Sequence, residues 1–341
     1  MKDSNCSIPD PVIRHEGTGA GQANNIVDAT PEAIARAVRL LREGGVVAMP
    51  TETVYGLAGD GLNPAALARI FEIKQRPLYD PLILHFADAA AAFHVIRQIP
   101  FKARELASHF WPGPLTLVML KQDMVPDLAT SGLAQVAVRV PAHPVAQALL
   151  RAFGGPLAAP SANRFGRISP TDAAAVQAEL GAAVELILDG GPCTVGMEST
   201  VLHVSGEKVV LLRAGGIPVE EIEALVGLIT RATPVDDAPV APGQLKHHYA
   251  PRKPLRLVSA AGDIPPGLEN GWLAFGPEGF SATQTVENIS PAGDLREAAA
   301  NFFRALRALD DHPRVRIIHA LRLPSTGLGV AINERLERAS Q

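Results

Sequence analysis

The chain is poor in cysteine, in charge and in long apolar runs. Only two of its 341 residues are cysteines, Cys6 and Cys193. Two thiols make neither a disulfide framework nor a metal-binding spacing, and Cys193, in the loop sequence GGPCTVG, reads as a small loop residue rather than a nucleophile. Charged residues make up 19%, net charge is −4, and no run of basic residues occurs. A primary nucleic-acid binder would show a basic stripe, so that class is disfavoured, although a local basic cleft is not. The ten histidines form no H-E-x-x-H or related spacing, which speaks against structural zinc. No apolar run approaches the length of a membrane span, and the first residues carry no signal-like apolar segment. A soluble, cytoplasmic chain without membrane contact is expected. G-x-G-x-x-G is also absent, leaving a dinucleotide site unsupported. Hydrophobic residues, at 47%, are ample for packed cores, and the length suits about two domains.

Residues 1–24 are rich in Asn, Gly and Ser without periodicity and read as a mobile tail. Residues 25–230 mix short strands and helices with no regular βαβ rhythm, which predicts an α/β (α+β) domain on a twisted mixed sheet. Residues 231–254 hold five prolines, Pro234, Pro239, Pro242, Pro251 and Pro254, and read as a semi-extended linker. Residues 255–341 alternate strand and helix, as a small parallel α/β domain would. Within them Asp294 and Glu297 make a capping-box pattern ahead of an amphipathic helix.

The chain is organised around residues 50–85. An apolar strand over 46–49 runs into Pro50-Thr51-Glu52-Thr53. Asn63-Pro64 caps a helix whose face carries Leu67, Ile70, Phe71 and Lys74. Pro77 ends that helix, and a strand over 82–86 carries His85. Lys74 and Arg76, one residue apart, point in different directions on a helix. They suit the bracketing of one polyanion, or else a solvated helix end. Ser161 and Asn163 follow a short buried strand and fit either oxyanion donation or an ordinary turn. Ser169 precedes a helix expected over 171–180, where it is an anion contact or a plain cap. Arg139 ends an apolar strand, placed for a carboxylate or for a structural ion pair. Arg213 follows a strand and precedes Gly215-Gly216, which would let its backbone approach a ligand.

These segments occur together as PTETVYGL with KQRP, WPGPLT, VAVRVPAHP, APSAN, GMEST and LLRAG, in this order over about 170 residues. The ordered set resembles the YrdC-like domain of the threonylcarbamoyl-AMP synthases. Lys74-Gln75-Arg76 and Ser161-Ala162-Asn163 stand for that family's K-x-R…S-x-N set. The sequence HHYAP at residues 247–251 and the C-terminal extension make the chain similar to the long, two-domain form, whose extension is a small Rossmann-like α/β domain.

The resemblance implies a sheet with a concave active-site face and a nucleotidyl transfer. L-Threonine, bicarbonate or CO2, and ATP would give threonylcarbamoyl-AMP and pyrophosphate, the product passing to a tRNA threonylcarbamoyl transferase system. It implies catalytic roles for Lys74, Arg76, Ser161 and Asn163. It implies ATP contacts from Arg76, Asp80, Ala159, Ser161, Ser169, Arg213 and Tyr249, and a threonine pocket of Thr53, His85, Arg139 and Ser199. Mg2+ is expected from the ATP chemistry, with Glu52 and Glu198 either holding it or orienting neighbours. Two competing classes are a YrdC-like RNA-binding or ribosome-maturation module, disfavoured by the acidic net charge and the complete K-x-R…S-x-N set, and a carbamoyl-transfer domain of the hydrogenase-maturation type, whose Cys clusters are missing here. The proline-rich strap, rather than the core of the last domain, is expected to close the cleft.

Overall fold

The computed structural model describes residues 24–232, 249–277 and 284–341. Most of the expected tail and linker, with Pro234, Pro239, Pro242 and Lys246-His247-His248, lies outside the described residues. The strands are β1 (Ile26–Asp28), β2 (Val47–Met49), β3 (Gly56–Asp60), β4 (Ile83–His85), β5 (Leu115–Leu120), β6 (Gln135–Arg139), β7 (Leu157–Ala158), β8 (Ile187–Asp189), β9 (Thr200–Ser205), β10 (Lys208–Arg213), β11 (Thr230–Arg231), β12 (Leu255–Val258), β13 (Asn270–Ala274), β14 (Thr285–Asn288) and β15 (Ile317–Leu321). The α-helices are α1 (Pro31–Arg42), α2 (Pro64–Lys74), α3 (Ala89–His94), α4 (Phe101–Phe110), α5 (Asp127–Thr130), α6 (Pro144–Phe153), α7 (Ala173–Leu180), α8 (Val219–Val226), α9 (Leu295–Asp311) and α10 (Leu328–Ala339).

Two sheets result. The larger has eleven strands in the order β1-β8-β2-β3-β7-β4-β6-β5-β9-β10-β11 and mixes parallel with antiparallel pairs. The smaller is four-stranded, β12-β15-β13-β14, and parallel throughout. This is the mixed sheet plus parallel α/β unit that the sequence rhythm predicts. Strand β3 is a difference: its GLAGD sequence has too little apolar bulk to read as a strand. Its glycines let it lie flush against neighbours; a Cβ at Gly59 would fall 3.0 Å from Ile70. Gly227 caps α8, and the chain turns into edge strand β11.

Alternation across β4, β5 and β6 creates the functional face. Leu84, Leu117 and Val138 enter the main core, while Ile83, Val118 and Ala137 form a separate small cluster on the opposite face with Val201 and Leu212. His85 and Arg139 share that second face and are register partners. A bulge in the β9–β10 pairing between Leu211 and Arg213 re-aims Arg213 towards the same place.

The last domain packs tightly on the first. Phe302 and Phe303 on α9 and Leu336 on α10 belong to the same continuous core as Leu202, Ile217 and Tyr249. Gly196, at φ +65°, lies directly against α9: a Cβ there would come 2.5 Å from the Ala300 carbonyl oxygen. Gly196→Ala therefore combines a left-handed backbone with an overlap at the domain interface. It is expected to cost about 2–4 kcal/mol, to be read from urea unfolding. An unchanged midpoint would rule out this packing.

Candidate active site

The cleft on this face is lined by residues from eight separate stretches of the chain and has about 560 Å3 of atom-free space, its open mouth included. Arg76, Thr53, His85, Arg139, Ala159, Ser161, Ser199, Arg213 and Tyr249 all line it, together with Glu198. Segments separated by nearly 200 residues thus meet in the order the sequence motifs suggested. Lys74, Asp80, Asn163 and Ser169 do not line the cleft; they stand behind its walls.

Lys74 is the largest departure from the sequence expectation. It is only 1% exposed, at the end of the buried face of α2. Its Nζ donates to the Asn163 carbonyl at 2.6 Å and to the Ser161 carbonyl. Burial, with Arg76 nearby, pushes its pKa well below the ordinary lysine value. Lys74 therefore ties the Ser161–Asn163 loop to the helix instead of pointing at a polyanion. Asn163 does similar work: its Nδ2 donates to the carbonyls of Arg164 and Arg167.

Arg76 is not part of the helix. Gln75 adopts a left-handed conformation (φ 52°) that ends α2 and turns Arg76 back on the loop after it. There the guanidinium donates to the Asp80 and Pro81 carbonyls, each at 2.9 Å, and pairs with the Asp80 carboxylate at 2.8 Å. Burial raises the Asp80 pKa, opposed by Arg76. Asp80, expected on the nucleotide, braces Arg76 in this structure. Of the two readings of Ser169 the plain cap fails: Asp172 caps α7, and the buried Ser169 hydroxyl donates to Glu198 at 2.7 Å.

Also in the cleft lining, Arg139 donates to Glu52 at 2.7 Å and to the Thr53 hydroxyl at 2.9 Å. Of the two readings posed for Arg139 the structural ion pair is present, and the guanidinium also lines the cleft. His85 Nδ1 lies 3.1 Å from the Ile83 carbonyl. Burial first, then neighbouring Arg139, lower its pKa to about 3, so the imidazole is neutral at physiological pH. Ser199 and Thr116 share a hydroxyl hydrogen bond of 2.7 Å. The Arg213 guanidinium donates to the Ser199 carbonyl at 2.8 Å. Gly215 serves this packing rather than a ligand: a Cβ there would lie 2.3 Å from the Glu198 carbonyl oxygen.

Tyr249 is fully buried at the end of the strap (φ 68°). Its ring lies 5.6 Å from that of Phe303 on α9, and the Arg335 guanidinium of α10 sits 5.3 Å above it. The next residue, Ala250, bonds Gly166 at 2.7 Å. The last domain thus reaches the cleft wall, beyond the strap that was expected to do so alone. Arg335 was missed by sequence reasoning, although a signal existed. On α10 it falls among Leu328, Ala331, Ile332, Leu336 and Ala339, a cation on an otherwise buried face.

Glu52 and Glu198 are both engaged by arginines, and among the described residues no group of three His, Cys, Asp or Glu side chains is disposed to hold a metal ion. The residues present therefore do not fit a protein-bound metal centre.

A mixed-sheet cleft walled by buried cations and hydroxyls defines a site for small anions. A family model described as "Telomere recombination" (Sua5_yciO_yrdC) matches residues 39–215, and one described as "Threonylcarbamoyl-AMP synthase, C-terminal domain" matches residues 217–341. The chain is 40% identical over 334 residues to the threonylcarbamoyl-AMP synthase of Bacillus subtilis (strain 168), covering 92% of this chain and 96% of that one. It is 41% identical over 316 residues to that of Pyrococcus abyssi, covering 89% and 93%. The structure of P. abyssi Sua5 complexed with L-threonine superposes with a TM-score of 0.83 at 38% identity, over 90% of this chain and 94% of that one. The chain belongs to the threonylcarbamoyl-AMP synthase family, in its two-domain Sua5 form.

Two outcomes follow from this geometry. Lys74→Met should leave the Ser161 and Asn163 carbonyls without their donor and lower unfolding free energy by about 2–4 kcal/mol. Hydrogen exchange should rise in residues 161–167, and unchanged exchange there would contradict the tie. For His85, the folded pKa of about 3 lies below the unfolded value of 6.5. Between those values the unfolded chain binds a proton that the native chain does not. Its contribution to stability is complete above pH 6.5 and is lost as pH falls towards 3, at no more than about 1.4 kcal/mol per pH unit. Unfolding of His85→Gln should show a shallower acid slope than the parent protein, and equal slopes would refute the assignment.

Proposed function

We propose that this chain is an L-threonylcarbamoyladenylate synthase acting in the cytoplasm. It joins L-threonine, bicarbonate or CO2, and ATP into threonylcarbamoyl-AMP and pyrophosphate, for transfer to tRNA by a separate system. The observation that carries this reading is one cleft lined by three buried arginines, Arg139 beside Thr53, to which we assign the carboxylate, and Arg76 and Arg213, to which we assign the phosphates. In organisation, residues 25–230 are the catalytic domain, 231–254 the strap, and 255–341 a domain that braces the strap.

The threonine carboxylate is assigned to Arg139, whose guanidinium is already oriented by Glu52. The neighbouring hydroxyls of Thr53 and Ser199 suit the amino acid's own hydroxyl. The amine captures CO2 as a carbamate, losing one proton. A carbamate oxygen then attacks the α-phosphate, an O–P bond forms, and pyrophosphate leaves. Both reactants are anions, so the step needs fixed positive charge, which Arg76 and Arg213 supply from buried positions. Ser161, on the loop anchored by Lys74, offers a hydroxyl to the same oxygens. The Tyr249 ring closes one wall against water. Magnesium enters this scheme as a companion of the nucleotide phosphates and not on protein ligands.

The test is product analysis with isotope-labelled bicarbonate. Pyrophosphate release should require threonine and bicarbonate together, and the label should appear in an adenylate. Serine should support the reaction with a loss of about 10- to 200-fold, the worth of one methyl group. Valine, lacking the hydroxyl, should fare worse. Pyrophosphate release without threonine, or equal use of valine, would overturn the reading.

A further inference from the structure

Arg335 is a completely buried cation that the scheme above does not use. It sits on α10, about as far from the catalytic motifs in sequence as the chain allows. Its Nε and Nη2 lie 3.2 and 3.1 Å from Glu198 Oε2. Its Nη1 donates to the Ala214 carbonyl at 2.6 Å. The central carbon of its guanidinium lies over the Tyr249 ring, 5.3 Å from the ring centre.

Beyond its own helix, where it also meets the Ala331 carbonyl and Glu334, its partners lie at or beside the cleft wall. Glu198 and Tyr249 line the cleft, and Ala214 directly follows Arg213, which also lines it. Glu198 in turn accepts from Ser169. One guanidinium thus meets a carboxylate, a carbonyl and an aromatic face at once. Only a planar, delocalised cation with donors on several edges can do so; an ammonium has no flat face and cannot span all three partners. Arg335 itself does not line the cleft, so it touches no substrate.

We propose that Arg335 is a positioning residue through which the last domain sets the affinity for ATP. It fixes Tyr249, Glu198 and the main chain after Arg213 in the arrangement the nucleotide meets. Arg139, Glu52 and Thr53 at the threonine pole have no contact with it, and Ser199 is reached only through the neighbouring Glu198, so threonine binding should be far less sensitive to its loss. This inference rests on the proposed function for the identity of the two ligands.

A purely structural tie between domains would act differently, and the fold supplies a comparison. Arg307 on α9 also crosses the interface, to Glu179 at 2.8 Å and to the Ile168 carbonyl at 2.8 Å, without lining the cleft. ATP and threonine affinities would be measured by calorimetry on the full chain, for the parent protein and for Arg335→Met, Arg335→Lys and Arg307→Met. Arg335→Met should weaken ATP on the order of 10- to 100-fold, the usual worth of one buried charge-assisted contact. Threonine affinity should stay within about threefold of the parent, a margin small beside the loss of one such contact. Arg335→Lys should recover only part of the loss, and Arg307→Met should leave ATP affinity at the parent level. Parent-like ATP binding in Arg335→Met overturns the proposal. So does equal weakening of both ligands, or the same ATP loss in Arg307→Met. If the methionine variant does not fold, full ATP affinity in Arg335→Lys overturns it. A parent protein that binds ATP but forms no threonine-dependent product refutes the functional reading and leaves the Arg335 measurement standing.

Discussion

Buried cations held by main-chain carbonyls are what the cleft depends on. Lys74 is bound by two carbonyls of the Ser161–Asn163 loop, Arg76 by those of Asp80 and Pro81, Arg213 by Ser199, and Arg335 by Ala214. Taking a charge out of water is expensive, and a carboxylate partner would repay the cost but cancel the charge. A carbonyl dipole solvates a cation while leaving its net charge in place. The result is a fixed positive field in a poorly hydrated cleft, where it acts on anions far more strongly than it would in water. Asp80 compensates from behind Arg76, whereas Glu198, itself part of the cleft lining, pairs with Arg335, which does not line it.

The same carbonyls make the site a consequence of the fold. Each cation that is satisfied fixes a loop, and each loop carries another lining residue. Ser161 is presented because Lys74 holds its backbone, and Ser199 because Arg213 holds its own. At the far end, the strap is fastened by Asp310 of α9. Its carboxylate accepts from Arg252 at 3.1 Å and from the Lys253 backbone at 3.0 Å, while Lys253 Nζ caps the helix end at the carbonyls of Leu309 and His312. Tyr249 is thereby held between a pinned strap and the two helices of the last domain.

Much of this was legible in the sequence, for physical reasons that differ by element. Helix α2 announced itself through Asn63-Pro64 and its apolar stripe, and the cap forms as written, with Asn63 accepting from Ala65. The pattern also placed Lys74 on the buried face; what it could not give was the partner, because a buried lysine is satisfied by whichever carbonyls the fold brings near. Asp294 illustrates the same limit. It caps α9 by accepting from Glu297, but the return half of the box runs through Ser290, whose hydroxyl bonds Glu297 at 2.5 Å and accepts from the Asp294 backbone. Strand β3 was illegible because its identity comes from pairing with β2 and β7, not from its own side chains. Arg335 was readable as an anomaly on a buried helix face, but its role needed the position of Glu198, 137 residues away.

The two poles of the cleft solve opposite problems, which accounts for their different chemistry. At the proposed phosphate pole the ligand would carry several charges, and there Arg213 is held by the Ser199 carbonyl while Arg76 is held by two carbonyls as well as by Asp80. At the threonine pole the ligand's carboxylate carries one charge beside a neutral hydroxyl, and an uncompensated arginine would accept any small anion. Pairing Arg139 with Glu52 reduces its net field, so that charge alone is a weak lure and the placement of Thr53 and its neighbours decides what fits. The same pair prevents the guanidinium from swinging when the pocket is empty, so its ordering cost is met in folding and not in binding. His85, neutral beside Arg139 because burial and that charge both oppose its protonation, keeps a second cation out of the pole. Selectivity at one end and attraction at the other therefore follow from how each buried arginine is compensated.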